Sequence, residues 1–253
     1  MFAQERQKII SEILEKKSSV KVNEIVSMLN VSESTVRRDL QEMEERNLLE
    51  RTHGGAVGVD IKTNYEPSFK DKQDERIEQK IKIAEAASKI IEDDDTIILD
   101  SGTTTLEIAK MIEGKHVTVI TNSIDIASQL SQNEQVEVIV TGGTLRASTR
   151  AMVGSIAEMT LRNFRVDKAF IGANGISVEE GITTPNFIEA QTKKMMMSYA
   201  KKVIVVADSS KFENVCFSVV CPVKSVDMII TSEDISEDIL KEYEQIGVDV
   251  ITA

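Results

Sequence analysis

The chain has 253 residues, 41% of them hydrophobic and 28% charged, enough apolar content to build cores in two domains. Its formal charge of −12 argues against a protein that coats nucleic acid indiscriminately, and it confines any phosphate-binding surface to a local patch. Cys216 and Cys221 have no histidine nearby and read as reduced thiols, so neither a metal nor a cofactor is expected.

In chain order, Ile9, Ile10, Ile13 and Leu14 predict a first helix, and Ile25, Met28 and Leu29 a second, with Asn30-Val31 as a tight turn. Ser32 then suits an N-cap, its hydroxyl accepting from a free N–H of the first turn. Val36, Leu40 and Met43 recur at helical spacing toward a small core and leave Glu33, Ser34, Thr35, Arg37 and Arg38 outward. This is the spacing of a helix-turn-helix, whose second helix reads base edges in the major groove. Asn47 is expected to end that helix, Leu48 to Arg51 to be extended, and Gly54-Gly55 to turn a hairpin, forming a wing. A short bundle with a merely solvated charged face is the blander alternative. The capped helix, the preceding turn and the basic Gly-Gly hairpin together favour DNA binding.

Residues 1–58 hold nine basic and ten acidic residues, but Arg37, Arg38, Arg51 and His53 cluster in the contact region. Sequence-matched binding to operator DNA by a homo-oligomer is therefore expected. The segment from Glu5-Arg6 through Ser32, Thr35 and Arg37-Arg38-Asp39-Leu40 to His53-Gly54-Gly55-Ala56 resembles the N-terminal domain of DeoR-family bacterial transcription regulators. The resemblance implies a winged helix-turn-helix with Ser34, Thr35, Arg37 and Arg38 on DNA and the His53-Gly54-Gly55 turn near its backbone.

Residues 59–79 are polar and charge-rich around Pro67 and read as a linker, dividing a DNA-binding domain (1–58) from an effector domain (80–253). In the latter, Ile81, Ala84, Ala87, Ile90 and Ile91 suggest a helix. Apolar runs follow at Thr96–Leu99, Val117–Ile120, Val136–Val140, Val166–Ile171, Val203–Val206 and Met228–Ile230, with helical patterns between most of them. Such alternation predicts an α/β domain with a mostly parallel sheet, whose ligands bind beyond the carboxyl ends of the strands.

Polar motifs fall at those ends: Asp100-Ser101-Gly102-Thr103-Thr104-Thr105, Thr121-Asn122-Ser123, Thr141-Gly142-Gly143, Gly172-Ala173-Asn174-Gly175 and Asp208-Ser209-Ser210-Lys211. The first can cradle a phosphate with hydroxyls and helix-start N–H groups. It lacks the GxxxxGK[ST] pattern of a nucleotide loop, which disfavours ATP. Arg146, Arg150, Lys193 and Lys211 are candidates for bringing positive charge to the anion. The Met195-Met196-Met197 run reads as packing and His116 as an exposed loop residue.

Residues 77–233 resemble the DeoR-family sensor domain, which is similar in fold to ribose-5-phosphate isomerases. The resemblance implies a phosphorylated sugar as effector, with Ser101 to Thr105 around phosphate and Thr121, Asn122, Gly142, Gly143, Asn174, Thr183, Glu189, Lys193 and Lys211 lining the site. The isomerases carry an Asp-Gly-Ala-Asp motif after a Val-Asp strand. The matching stretch here, Val166-Asp167 to Gly172-Ala173-Asn174, has Ile171 and Asn174 where the motif acids stand. Without a carboxylate base there, a sensor is expected and no catalytic residue is assigned; an isomerase with retained activity is the alternative. The family resemblance implies a repressor of a sugar-utilisation operon, relieved or modulated by a phosphorylated sugar; Gly181 to Pro185 and Asp100 resemble regulators of fructose utilisation, which makes fructose 1-phosphate the first candidate effector. No signal-peptide core and no membrane-length segment is read, so a cytoplasmic protein is expected.

Overall fold

A computed structural model of the chain describes residues 2–17, 19–46, 48–52, 54–58 and 66–253, and they form two compact units, Met1–Tyr65 and Glu66–Ala253. The expectations for Asn47 and His53 lie outside the described residues.

The first unit runs α1 (Ala3–Lys17), β1 (Ser19–Lys21), α2 (Val22–Leu29), α3 (Glu33–Glu45), β2 (Leu49–Thr52) and β3 (Gly55–Gly58). Ile10, Leu14, Ile25, Leu29, Val36, Leu40, Met43 and Leu49 make its core, so the apolar spacing of each helix does what it predicts. Met28 departs from expectation and is 52% exposed. Asn30 ends α2 in the left-handed conformation (φ 51°) that turns the chain into α3, and Ser32 caps α3 by accepting from the Thr35 N–H at 3.2 Å. β2 and β3 pair antiparallel, Thr52 opposite Gly55, and β1 pairs with β3 in a strand order β1-β3-β2.

The second unit begins earlier than the charge pattern suggests. α4 (Phe69–Gln73) falls within the expected linker, and α5 (Ile77–Ser88) begins inside it. Phe69 is buried with Ile83 and Ala84, its N–H donates to the Ser148 carbonyl at 2.7 Å, and Ser68 and Asp71 form a capping box at the start of α4. Residues 66–79 are therefore structured. One buried aromatic in a polar run carries no periodicity, which is why the stretch reads as a linker.

The chain continues through β4 (Thr96–Leu99), α6 (Thr103–Lys110), β5 (Val117–Thr121), α7 (Ile124–Leu130), β6 (Val136–Val140), β7 (Thr144–Arg146), β8 (Ala151–Val153), α8 (Ser155–Leu161) and β9 (Val166–Gly172). It ends with β10 (Gly175–Ser177), β11 (Gly181–Thr184), α9 (Phe187–Ser198), β12 (Ala200–Val206), β13 (Ser218–Cys221), β14 (Met228–Thr231), α10 (Glu237–Gln245) and β15 (Asp249–Thr252). Seven strands form a wholly parallel sheet in the order β15-β14-β12-β9-β4-β5-β6. Both faces are covered: Ile98, Ala169, Ile171 and Val205 pack on one side, Ile97, Leu99, Phe170 and Ile204 on the other. A strand buried on both faces needs a continuous apolar run, the pattern those segments show. Small antiparallel sheets, β10-β11-β13 and β7-β8, flank it.

Successive strands step outward from β4 in one direction through β5 and β6, whereas β9, β12, β14 and β15 step outward in the other. The order reverses between β4 and β9, the crevice where parallel α/β sheets hold ligands.

Candidate functional site

In the first unit, Ser32, Ser34, Arg37, Arg38, Arg51 and Gly54 are exposed and Thr35 is half-buried. The Ser32 hydroxyl also meets the Ser34 and Thr35 hydroxyls at 2.9 and 2.7 Å, which orders the helix start. Arg37 pairs with Glu33 at 2.6 Å and Arg38 lies 3.9 Å from Glu42; both pairs are exposed, so either arginine can exchange its carboxylate for a phosphate or a base at little cost. Gly55 is buried. A Cβ there would stand 2.1 Å from the Val20 carbonyl oxygen, so glycine lets β1 lie against β3 and the residue is not a surface contact.

Behind this surface, Arg6 on α1 forms a two-pronged bond with Asp39 on α3 at 2.6 and 2.9 Å, both side chains buried. The Asp39 hydrogen bond raises the Arg6 pKa further above its usual value. The pair fixes the recognition helix against α1 from the side opposite Arg37 and Arg38.

In the second unit a cleft opens at the reversal of strand order. Ser101 to Thr105 at the end of β4, Gly172 to Asn174 at the end of β9, and Val206 to Asp208 at the end of β12 form its floor. Glu189 and Lys193 on α9, Lys211, Thr149, and Phe69, Lys72, Glu75 and Lys80 from the α4–α5 segment form its walls. The hydroxyls of Ser101, Thr103 and Thr104 make no hydrogen bond among the described residues. The first-turn N–H groups of α6 also lack intrahelical acceptors. Thr105 differs: its hydroxyl donates to the Asp100 carbonyl at 2.6 Å and closes the loop.

Asp100 is buried beneath this floor, where it accepts from the Gly172 N–H at 3.0 Å and from the Lys193 ammonium, which also reaches the Gly172 carbonyl at 2.9 Å. It ties β4, β9 and α9 together and does not face the cleft. Asn122 likewise stands behind the loop, accepting from the Ser101 N–H at 2.9 Å and donating to the Met152 carbonyl. Thr121 accepts from Ser123 N–H and Thr183 from Cys216 N–H. Gly142 and Gly143 take positive φ outside the lining, and a Cβ on Gly143 would stand 2.7 Å from the Val153 carbonyl oxygen. Arg150 pairs with Asp125 at 2.7 Å, about half exposed and away from the cleft. These expected site residues hold the loops or lie apart from the lining; their place at strand ends is shared with the lining residues, and this is what the strand-end pattern could not separate.

Glu189 lines the cleft, but Arg146 and Thr149 both donate to it, and Arg146 also binds Glu66 at 2.7 and 3.0 Å. Burial works against the Arg146 charge and is outweighed by Glu66 and Glu189, so its pKa is raised. Lys80 is held down to about 8 by burial, partly offset by Asp208. Burial also lowers the Lys72 pKa, with Glu189 and Glu66 opposing and Lys193 and Lys211 reinforcing the shift. Phe69 and Lys72 escape the sequence reading because they sit in the polar stretch expected to be a linker, and Lys80 because a lone lysine at the start of an amphipathic helix reads as a solvated residue. Asn174 offers the cleft a neutral amide, its Oδ1 accepting from Thr184 at 3.1 Å, and Ile171 is wholly buried in the core, so neither supplies a proton-abstracting base.

Three helices and a wing that present a Ser/Thr/Arg helix, joined to a parallel α/β unit with a lysine-rich cleft, define a DNA-binding transcription regulator. The DeoR-like helix-turn-helix domain family matches residues 6–62, and the DeoR C terminal sensor domain family matches residues 75–233. The chain belongs to the DeoR family of transcription regulators. It is 37% identical over 253 residues to the HTH-type transcriptional regulator GlpR of Haloferax volcanii, covering 99% of this chain and 98% of that one. It is 36% identical to both FruR and the transcriptional repressor GlcR of Bacillus subtilis; the FruR match covers 96% of each chain, the GlcR match 91% of this chain and 89% of that one. These relatives are named as regulators, and the chain is a regulator, not an enzyme. Among solved structures, ribose 5-phosphate isomerase A of Methanocaldococcus jannaschii overlaps 53% of each chain at 21% identity and a TM-score of 0.40. No helix among the described residues is long and apolar enough to cross a membrane.

Proposed function

We propose that the chain represses a sugar-utilisation operon in the cytoplasm, binds operator DNA as a homo-oligomer, and has that binding modulated by a phosphorylated sugar held in the cleft of the second unit. The observation that carries the reading is the meeting of unpartnered Ser101, Thr103 and Thr104 hydroxyls, the start of α6 and the lysines 72, 80, 193 and 211 in one crevice. A phosphate monoester needs such donors and a local excess of cations, and this acidic chain supplies both there. Ser34, Thr35, Arg37 and Arg38 read base edges, with Ser32 holding the helix start; Arg51, His53 and Gly54 lie at phosphates.

Fructose 1-phosphate is the first candidate effector. To act on transcription it must bind one arrangement of the protein more tightly than another, since equal affinity shifts nothing. A gel-shift titration on the DNA upstream of the chain's own gene, with fructose 1-phosphate and a panel of pentose and hexose phosphates, tests the reading. One phosphorylated sugar is expected to change operator affinity while its unphosphorylated form does not. A uniform absence of effect across the panel removes the sensor reading.

A further inference from the structure

Lys72 stands apart from the other three cleft lysines. Lys193 is bound to Asp100 and to the Gly172 carbonyl, Lys80 donates to the Lys72 carbonyl, and Lys211 meets the Ser210 hydroxyl at 3.1 Å and lies 3.9 Å from Asp208. The Lys72 ammonium lines the cleft with no hydrogen bond or ion pair among the described residues. Lys72 is half-buried, and an ammonium held among the other cleft lysines without a partner of its own points to an anion that pairs with it.

The segment bearing it is held to the second unit by a few contacts. Glu66 holds Arg146 and accepts from the Ser148 hydroxyl at 3.0 Å, and Phe69 is inserted in the core. Lys72 follows one turn later, outside the matched sensor-domain residues, which start at 75. In sequence, residues 59–65 separate this segment from the DNA-binding unit.

Resting on the reading of the cleft as a phosphorylated-sugar site, we propose that Lys72 binds the ligand's phosphate and that the ligand thereby fastens residues 66–73, the start of the connection to the DNA-binding unit, onto the sensor unit. The phosphate bridges the Lys72 ammonium on α4 and the Ser101 to Thr104 donors at β4, two elements otherwise joined here through Phe69 packing. The like-charged lysines around it gain a common counter-ion.

The test uses the full chain, with inorganic phosphate and fructose 1-phosphate as probes. Wild-type protein is expected to gain thermal stability with either probe and, on fructose 1-phosphate, slower amide hydrogen exchange across residues 66–76. Lys72→Met should keep its unliganded melting temperature, weaken probe binding about ten- to a hundredfold, the scale of one lost charge-assisted hydrogen bond, and lose the exchange protection. Lys72→Arg should recover part of both. Equal probe affinity in wild type and Lys72→Met overturns the proposal, as does ligand-bound wild type with unprotected residues 66–76, a measurement independent of any variant. A wild type that binds neither probe overturns the cleft reading itself and this proposal with it.

Discussion

At the scale of single residues, two kinds of charge do different work in the first unit. Arg37 and Arg38 are exposed and weakly paired, so replacing either by alanine should change stability by less than about 1 kcal/mol. Operator affinity should nevertheless fall about ten- to a hundredfold per arginine, measured by fluorescence anisotropy at fixed salt. Asp39 behaves in the opposite way, because it is buried and binds Arg6 through both oxygens. Asp39→Ala strips a buried guanidinium of both of these hydrogen bonds and should cost about 3 kcal/mol in urea unfolding of the first unit. The arginines were legible because their spacing puts them on an outward face. The Arg6–Asp39 bond was not, since 33 residues separate its partners and local pattern carries no sign of it.

At the scale of elements, legibility follows length and environment. Five of the six apolar runs of the parallel sheet are largely buried on both faces and announce themselves in composition alone; the sixth, edge strand β6, is partly exposed, with Val140 at 42%. β1, β7, β8 and β10 have three residues each, too few for alternation to register, and β15 is half exposed. The α4 segment was hidden by its charge, and with it Lys72 on one wall of the cleft. The wing illustrates a tight fit that sequence showed only as a turn. In Gly55→Ala the new methyl meets the Val20 carbonyl, so β1 and β3 must part. A loss of about 2 kcal/mol or more is expected for the first unit, with weakened operator binding and an unchanged melting transition for the second.

At the scale of the whole molecule, the proposed function assigns DNA contact to the first unit and ligand contact to the second. A chain beginning at Glu66 should keep its stabilisation by fructose 1-phosphate, read by thermal shift, and should not bind operator DNA. The cleft also predicts a proton signature. Lys80 has a folded-state value of about 8, below the 10.5 of a free lysine, so its contribution to stability is smallest below pH 8 and rises as pH climbs from about 8 toward 10.5. A phosphate dianion favours the charged amine, so ligand binding at pH 8 should take up protons, seen as a calorimetric heat that varies with buffer ionisation enthalpy. Lys80→Met should diminish that uptake.

The proposed function has one chain read an operator and answer to a phosphorylated sugar that it does not transform. Its most direct test is an anisotropy titration of the upstream DNA by the full chain with and without fructose 1-phosphate and the wider panel, followed by analysis of the recovered sugars. Operator affinity is expected to shift about tenfold with one phosphorylated sugar, which is recovered intact. Identical affinity under every phosphorylated sugar, or conversion of any of them, would contradict it.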